Sequence, residues 1–250
     1  MKPFTLTQTF YPESRFGGFS DLDGTILFFT RINALLDPSW TVLDVGCGRA
    51  EWIEDSVPYR RELRNLKGKA ARVIGLDVDP AGRENPTLDE FRLLESEAWP
   101  LETDSIDLII CDQTMEHVPN PDALFSEARR TLRHGGYLCI RTPNRWGYPA
   151  LVATVVPNRH HARVVEAVQE NRKALDVFPT VYRCNSKRRL RAAMKKHGFD
   201  AVVYDYDAEP SYLAFSRLAY RLGMLYMRLA PPLPRAALFA FGKLAKHERR

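Results

Sequence analysis

The stretch Val42-Leu43-Asp44-Val45-Gly46-Cys47-Gly48 decides the fold. An apolar run followed directly by glycines is typical of a buried strand that ends in a tight turn. The glycines permit backbone angles that other residues avoid, and they let a ligand approach the main chain closely. Because a GxG after a strand occurs in several cofactor-binding folds and in ordinary turns, the surrounding sequence has to decide between them.

Short apolar segments alternate with helical patterns on both sides of this turn. Strands alternating with helices are typical of a parallel sheet. The sequence therefore predicts an α/β fold, a Rossmann-like doubly wound and mostly parallel sheet of about seven strands. The strands that the pattern indicates span 41–45, 72–77, 91–95, 106–111, 137–141 and 199–206, and the clearest helices span 25–36, 122–132 and 186–197.

Composition limits the classes of protein that fit. With 250 residues, 45% hydrophobic and 27% charged, the chain can bury a core as one catalytic domain. Its four cysteines lie far apart without metal-ligand spacing, which predicts no metal site and a reduced, cytoplasmic setting. The amino terminus lacks the apolar run of a signal peptide, and no apolar stretch reaches the roughly 18 residues of a membrane span.

The chain divides into three predicted parts. Residues 1–40 form an amino-terminal cap segment, residues 41–210 the main domain with an insertion at 143–179, and residues 211–250 an amphipathic helical tail. The tail combines apolar residues with arginines at helical spacing and then an apolar run, 236–241, followed by lysines. Two interpretations stay open: an anchor on an anionic membrane surface, or helices that pack on the sheet or form a dimer seam.

Two carboxylates follow the first two predicted strands. Asp44 precedes the glycines, where a carboxylate favours a cationic amino group over the anionic phosphates of a dinucleotide. Asp77 ends the second strand, where it can accept hydrogen bonds from both hydroxyls of a ribose. The signs of these charges favour S-adenosylmethionine as the cofactor.

In their order along the chain, these motifs resemble the class I S-adenosylmethionine-dependent methyltransferases of the methyltransferase type 11 kind. Residues 42–50 resemble the first motif of that class, 75–80 the second, 95–108 the third and 109–118 the fourth, and 132–137 resembles the glycine turn before the fifth strand. The resemblance implies a cofactor site formed by Asp44, Gly46, Cys47, Gly48, Asp77, Val78, Glu95, Ser96, Asp112 and Gln113.

The resemblance is closer to bacterial members associated with polysaccharide biosynthesis, through Phe16–Ser20, Asp23–Thr25 and Thr142–Tyr148. It implies O-methylation of a glycan or lipid-linked saccharide, the alternative being another small molecule or a lipid. A hydroxyl acceptor gains from a general base, and His117 and Glu116 follow the fourth strand at the edge where the methyl group should lie. The same pair also suits packing and capping of the next turn.

Other classes of protein share parts of the pattern. The run Asp21-Leu22-Asp23-Gly24-Thr25 matches the nucleophile motif of haloacid-dehalogenase-type phosphatases, but no buried strand precedes it. A nicotinamide-dependent oxidoreductase would share the fold, yet Arg49 to Glu51 break a full GxGxxG. A non-catalytic cofactor-binding protein stays open. The basic run 187–196 lacks interleaved aromatics, which makes nucleic acid an unfavoured partner, and the sequence predicts no oligomeric state.

Overall fold

The computed structural model describes residues 4–147, 179–210, 213, 216–229 and 235–245. The predicted insertion at 143–179 lies almost wholly outside these ranges. The described helices are α1 (Leu6–Phe10), α2 (Gly24–Leu35), α3 (Pro58–Arg64), α4 (Pro121–Thr131), α5 (Lys187–Lys196) and α6 (Arg217–Leu229). The described strands are β1 (Thr41–Val45), β2 (Arg72–Asp77), β3 (Glu90–Leu93), β4 (Ile106–Asp112), β5 (Leu132–Pro143), β6 (Phe199–Tyr206) and β7 (Ala237–Leu244).

The strands form one sheet of seven in the order β3-β2-β1-β4-β5-β7-β6. The first five strands of this order run parallel to one another. Strand β7 is antiparallel to both of its neighbours, β5 and β6. The predicted fold class, a doubly wound and mostly parallel α/β sheet, is confirmed. The order reverses at β1, so the crevice for a ligand is expected at the carboxyl ends of β1 and β4.

Helices cover both faces of the sheet. On one face, Phe28 and Ile32 of α2 and Leu63 of α3 are buried against the sheet. On the other face, Phe125 of α4 and Leu190 of α5 are buried in a second apolar cluster. Because the central strands β1, β2 and β4 are covered on both faces, most of their side chains are apolar on both sides, which gives the near-continuous apolar runs in the sequence.

Local sequence sets the beginnings of these helices. The Asp23 side chain accepts hydrogen bonds from the amides of Thr25 and Ile26 and caps α2, and the Ser186 hydroxyl accepts from the Arg189 amide and caps α5. Lys187, in the first turn of α5, opposes the helix dipole but forms an ion pair with Asp205 of β6.

The prediction of a helical tail is right for one half of the tail and wrong for the other. Residues 217–229 form α6, but Ala237–Leu244 form β7, the strand between β5 and β6. Leu238, Phe239 and Ala240 are at most 1% exposed. A strand buried on both faces is an unbroken apolar run, and periodicity alone does not distinguish it from a helix. The membrane anchor proposed for 236–241 is therefore excluded, because those residues lie in the core.

Within the described ranges, the structure contains no helix with the length and apolar character needed to cross a bilayer.

Candidate cofactor site

The glycine turn after β1 has backbone angles that require its glycines. Gly46 and Gly48 have φ angles of 73° and 53°, in the left-handed region that residues with a Cβ avoid. A Cβ on Gly46 would lie 2.3 Å from the Thr114 hydroxyl oxygen, which is far below van der Waals contact. The Gly46 amide donates to the Leu76 carbonyl at 2.7 Å, which ties the turn to β2. At both glycines no side chain stands between the main chain of the turn and the crevice.

Asp77 ends β2, as predicted, and lies directly beside the turn. Its Oδ2 accepts a hydrogen bond from the Gly48 amide at 2.9 Å, and its Oδ1 accepts one from the Asp79 amide at 2.9 Å. The side chain is 8% exposed. Each carboxylate oxygen accepts more than one hydrogen bond, so Asp77 keeps acceptor capacity for a ligand while its position is fixed by the main chain.

Asn85 supports the turn from below and was not identified from the sequence. Its side-chain amide donates to the carbonyl oxygens of Cys47 and Gly48, both at 3.1 Å, and it is 5% exposed. Its only signal was the run Asn85-Pro86-Thr87, which is typical of an ordinary turn. Cys47 itself is buried, and burial raises the pKa of its thiol above the usual range. Cys47 therefore offers a ligand its main chain and not a thiolate.

Asp44 lies in the floor of the crevice. Burial, together with the nearby charges of Asp112 and Asp77, raises the pKa of its carboxyl to about 7 against the opposing effect of Arg64. A buried carboxylate among other carboxylates is stabilised when a cation binds beside it. This environment fits a positively charged ligand group near Asp44.

Asp112, at the end of β4, is held between two arginines. Arg141 donates to its two oxygens from Nε at 2.6 Å and from Nη2 at 2.8 Å, and Arg64 Nη2 lies 3.4 Å from Oδ2. Burial alone would raise the pKa of Asp112, but the two guanidinium groups lower it below its usual value. Asp112 is therefore ionised and positions these two arginines; it also lines the crevice, and its predicted contact with the cofactor stays a prediction.

Arg64 is the second residue of the site that the sequence did not reveal. Its guanidinium carbon lies 5.3 Å from the ring centre of Trp52 and 5.4 Å from that of Phe29. Its Nε is buried and has no hydrogen-bond partner among the described residues. A buried, unpaired N–H in a crevice marks a place where an acceptor is missing. The crevice is lined by residues that include Asp44, Gly46, Trp52, Arg64, Thr87 and Asp112.

Four predicted cofactor residues lie on exposed loops around the crevice. Val78 is 57% exposed beside Asp77, and Glu95 and Ser96 are exposed on the loop after β3. That loop lies next to β2, because the Leu94 amide donates to the Asp77 carbonyl at 2.8 Å. Gln113, after β4, is exposed with a φ of 55°, and its amide donates to the Arg141 carbonyl. Their contacts with a cofactor stay predictions.

Glu116 and His117 lie together at the end of β4 but differ in their surroundings. Glu116 is 5% exposed; its Oε2 accepts from the Thr142 hydroxyl at 2.9 Å, and its carbonyl accepts from the Val181 amide. His117 is partly exposed; its Nδ1 lies 3.1 Å from the Pro179 carbonyl oxygen, and its Nε2 lies 4.0 Å from Glu116 Oε1. Because a carbonyl only accepts, Nδ1 carries a proton, and the neutral ring has its basic nitrogen at Nε2.

The phosphatase-like run 21–25 has a different role. Asp23 caps α2 and accepts a hydrogen bond from Arg60 Nη1 at 2.8 Å. No strand precedes it within the described part of the chain, where β1 is the first. Neither Asp21, the nucleophile of such a motif, nor Asp23 follows a buried strand, so their placement contradicts a phosphoryl-transfer site.

Sequence comparison identifies the class of domain. The family described as "Methyltransferase domain" matches residues 21–209. A ubiquinone biosynthesis O-methyltransferase of Hahella chejuensis is 29% identical over 142 residues, which cover 53% of this chain and 55% of that protein. A protein of Mycolicibacterium smegmatis described as a "Probable S-adenosylmethionine-dependent methyltransferase" is 34% identical over 109 residues, 42% of this chain and 38% of that protein. The chain thus spans about half, or less, of these curated relatives.

Structure comparison agrees with the sequence. The chain superposes on an S-adenosylmethionine-dependent methyltransferase of Archaeoglobus fulgidus with a TM-score of 0.53, covering 94% of this chain and 99% of that one. The identity is 15%, so this likeness is one of fold. The family match covers every residue from the Asp23 cap to the end of β6, including the glycine turn, Asp77 and Asp44. The chain therefore belongs to the methyltransferase-domain family of class I S-adenosylmethionine-dependent methyltransferases.

Proposed function

We propose that this chain transfers the methyl group of S-adenosylmethionine to a hydroxyl oxygen of a small saccharide, free or linked to a lipid. The main support for methyl transfer is the crevice at the glycine turn, whose residues suit S-adenosylmethionine. The O-methyltransferase among the relatives supports an oxygen acceptor. A second candidate acceptor is a small aromatic hydroxyl compound, since that relative takes its name from ubiquinone biosynthesis.

The crevice residues fit the cofactor group by group. Asp77 accepts from the ribose hydroxyls, and the exposed Val78 beside it offers an apolar surface to the adenine ring. Asp44 would hold the α-ammonium group, which would stabilise the ionised form of its carboxylate. Arg64 Nε, which has no partner among the described residues, would donate to the α-carboxylate. Asp77, Asp44 and Arg64 thus match the ribose, the ammonium group and the carboxylate of the cofactor, respectively.

The residues of this chain then mainly align and dehydrate the reactants. When bound, S-adenosylmethionine would supply an activated methyl group on its sulfur, and the residues of the site would hold it next to the acceptor oxygen. A hydroxyl must lose its proton in this step, and His117 Nε2 takes that proton. Glu116 positions His117 from 4.0 Å, and its own carboxylate is fixed by the Thr142 hydroxyl.

The loop after β5 supports a saccharide as acceptor. Trp146 is 54% exposed at the same edge of the sheet as the cofactor turn. The Asn144 side chain accepts from the Trp146 amide at 3.1 Å, and the Arg145 guanidinium lies 5.0 Å from the indole ring centre. An exposed, fixed indole with a neighbouring guanidinium is suited to stack on a sugar ring and to bind a phosphate group.

Cofactor binding is expected to depend on pH through Asp44. Its carboxyl titrates at about 7 without ligand, and the ligand ammonium favours the ionised form, so binding below pH 7 releases a proton. Affinity for S-adenosylhomocysteine should therefore fall about eightfold from pH 7.5 to pH 6, as measured by calorimetry. The Asp44→Asn variant should bind weakly with little dependence on pH. An unchanged slope in that variant would remove Asp44 from the site.

Replacement of the proposed base is expected to separate turnover from binding. The His117→Ala variant should lose about 10²- to 10⁴-fold in kcat while its affinity for S-adenosylhomocysteine stays within twofold. His134→Ala is the matched control, because His134 lies at the opposite, amino end of β5. Turnover equal to wild type in His117→Ala would show that the reaction uses no base at this position.

The acceptor class is tested by a panel assay on the purified chain. The assay measures S-adenosylhomocysteine release with sugar nucleotides, lipid-linked saccharides, catechols and quinols as acceptors. Release with a saccharide, and a mass increase of one methyl group on its oxygen, is the expected result. Release only with catechols or quinols would assign the second candidate acceptor, and release with neither class would contradict O-methylation of both.

A further inference from the structure

Helix α6 carries an apolar strip that no described residue covers. Leu218, Leu222 and Leu225 are 68%, 56% and 50% exposed. Their spacing of four and three residues places them on one face, within about 60° at 100° per residue. The opposite face holds α6 on the protein, since Tyr220 is fully buried and stacks on Phe10 of α1 at 5.1 Å. The strip is therefore not the face that attaches the helix.

Arginines border this strip on one side. Arg217 and Arg221 are exposed and lie on the helix surface next to the leucines. Arg221 lies 5.7 Å from the Phe10 ring, so its stem packs on the protein while its charge stays near solvent. The sequence from 211 to 247 contains no acidic residue, so no carboxylate in that segment balances these charges. A row of leucines bordered by unbalanced arginines is the pattern of helices that lie in a lipid interface.

We propose that the exposed face of α6, formed by Leu218, Leu222, Leu225, Arg217 and Arg221, docks on the surface of an anionic lipid bilayer. The leucines enter the boundary between headgroups and acyl chains, and the arginines contact the lipid phosphates. This surface lies outside the cofactor crevice, and the inference does not depend on the methyl-transfer reaction. It keeps the membrane interpretation for α6 alone, since β7 is in the core.

The charges favour lipid over a second copy of the chain. An isologous contact through this face would bring the arginines of one copy near those of the other, and like charges repel at such an interface. An anionic bilayer supplies phosphates to every arginine and an apolar layer to every leucine. The helix does not need to span the bilayer for this contact, because an interfacial helix lies in the plane of the headgroups.

Vesicle co-sedimentation tests this proposal with three variants of the full chain. The wild type should bind vesicles of phosphatidylcholine with phosphatidylglycerol and not vesicles of phosphatidylcholine alone. Arg217→Gln with Arg221→Gln should weaken binding about 25-fold, at about fivefold for each arginine. Leu218→Ser, Leu222→Ser and Leu225→Ser together should weaken it at least tenfold. Arg188→Gln with Lys195→Gln on α5 removes the same charge from another exposed face and should change binding less than threefold.

Three results would overturn the proposal. One is failure of the wild type to bind the anionic vesicles, and another is an equal loss in the α5 control, which would mean that net charge alone matters. The third is a lowered Tm, or a change from dimer to monomer in analytical ultracentrifugation, in the triple serine variant. That result would show that the strip is covered by another part of the chain or by a second copy. Selective loss at unchanged Tm supports the proposal.

Discussion

The Gly46→Ala variant is expected to lose about 2 to 5 kcal/mol of the free energy of unfolding, and its affinity for S-adenosylhomocysteine should fall at least tenfold. The φ of 73° costs about 1 to 2 kcal/mol for a residue with a Cβ. The rest comes from overpacking, because the new methyl group would lie 2.3 Å from the Thr114 hydroxyl oxygen and 2.6 Å from its methyl carbon. Urea denaturation and calorimetry measure the two effects.

Gly68 provides a matched control for this substitution. It also has a positive φ, of 80°, but a Cβ there would meet nothing within 4 Å. Gly68→Ala should therefore show only the conformational cost, about 1 to 2 kcal/mol, with cofactor affinity unchanged. Combining Gly46→Ala with Thr114→Ala should recover part of the stability, because the closest contacts are removed. Equal stability of the two glycine variants would contradict the close approach of Thr114 to the turn.

The Phe239→Ala variant should lose about 3 to 5 kcal/mol of the free energy of unfolding. Phe239, in the middle of β7, is 1% exposed, and its ring centre lies 4.8 Å from that of Tyr206 and 5.5 Å from that of Phe28. Truncation leaves a cavity between β6 and α2 that the packed rings cannot fill. Chemical denaturation followed by circular dichroism measures the loss, which is a large part of the stability of an ordinary domain.

This substitution separates the two interpretations of the tail. If residues 236–241 formed a surface anchor, removal of one aromatic ring would change stability by less than about 0.5 kcal/mol. Leu218→Ala on the exposed face of α6 is the control, and it should stay within that limit. A Phe239→Ala variant as stable as Leu218→Ala would contradict the placement of β7 inside the sheet.

Features that depend only on neighbouring residues could be predicted from the sequence. The turn at 46–48 lies directly after a predicted strand and Asp77 ends another, and the alternation of such strands with helices was enough to predict the fold; that a ligand binds at this edge stays a prediction. Ser186 and Gly198 likewise predicted the two ends of α5, because a cap and a left-handed glycine act within one helical turn.

Long-range packing was the part that local patterns did not reveal. Strand β7 has the same composition as an apolar helix, and only pairing with β5 and β6 on both sides makes it a strand. The Asn85 side chain donates to the Gly48 carbonyl across 37 residues of sequence, and Arg64 pairs with Asp112 across 48 residues. In the sequence alone, both were ordinary polar residues of a turn and a helix.

The catalytic pair illustrates a further limit of sequence patterns. Glu116 and His117 are adjacent in the chain, and the sequence offered His117 as the base, with Glu116 either to orient it or to act in its place. In the structure, Glu116 is buried and accepts a hydrogen bond from the Thr142 hydroxyl. His117 is partly exposed, and its Nδ1 is hydrogen-bonded to the Pro179 carbonyl oxygen. These different surroundings give His117 the role of base in the proposed reaction and Glu116 that of a positioning residue, and both roles stay predictions.

The central claim is that the turn at Gly46–Gly48, together with Asp77, holds S-adenosylmethionine. Titration calorimetry of the wild type and of Asp77→Ala with S-adenosylhomocysteine, and of the wild type with NAD, tests it most directly. Saturable binding to one site and no binding of NAD are expected. The Asp77→Ala variant also loses the hydrogen bonds from the Gly48 and Asp79 amides, so its Tm should fall somewhat, and the folded variant should bind about 10- to 100-fold more weakly, as expected for lost charge-assisted hydrogen bonds. Absence of binding to the wild type, or equal affinity in the folded variant, would contradict it.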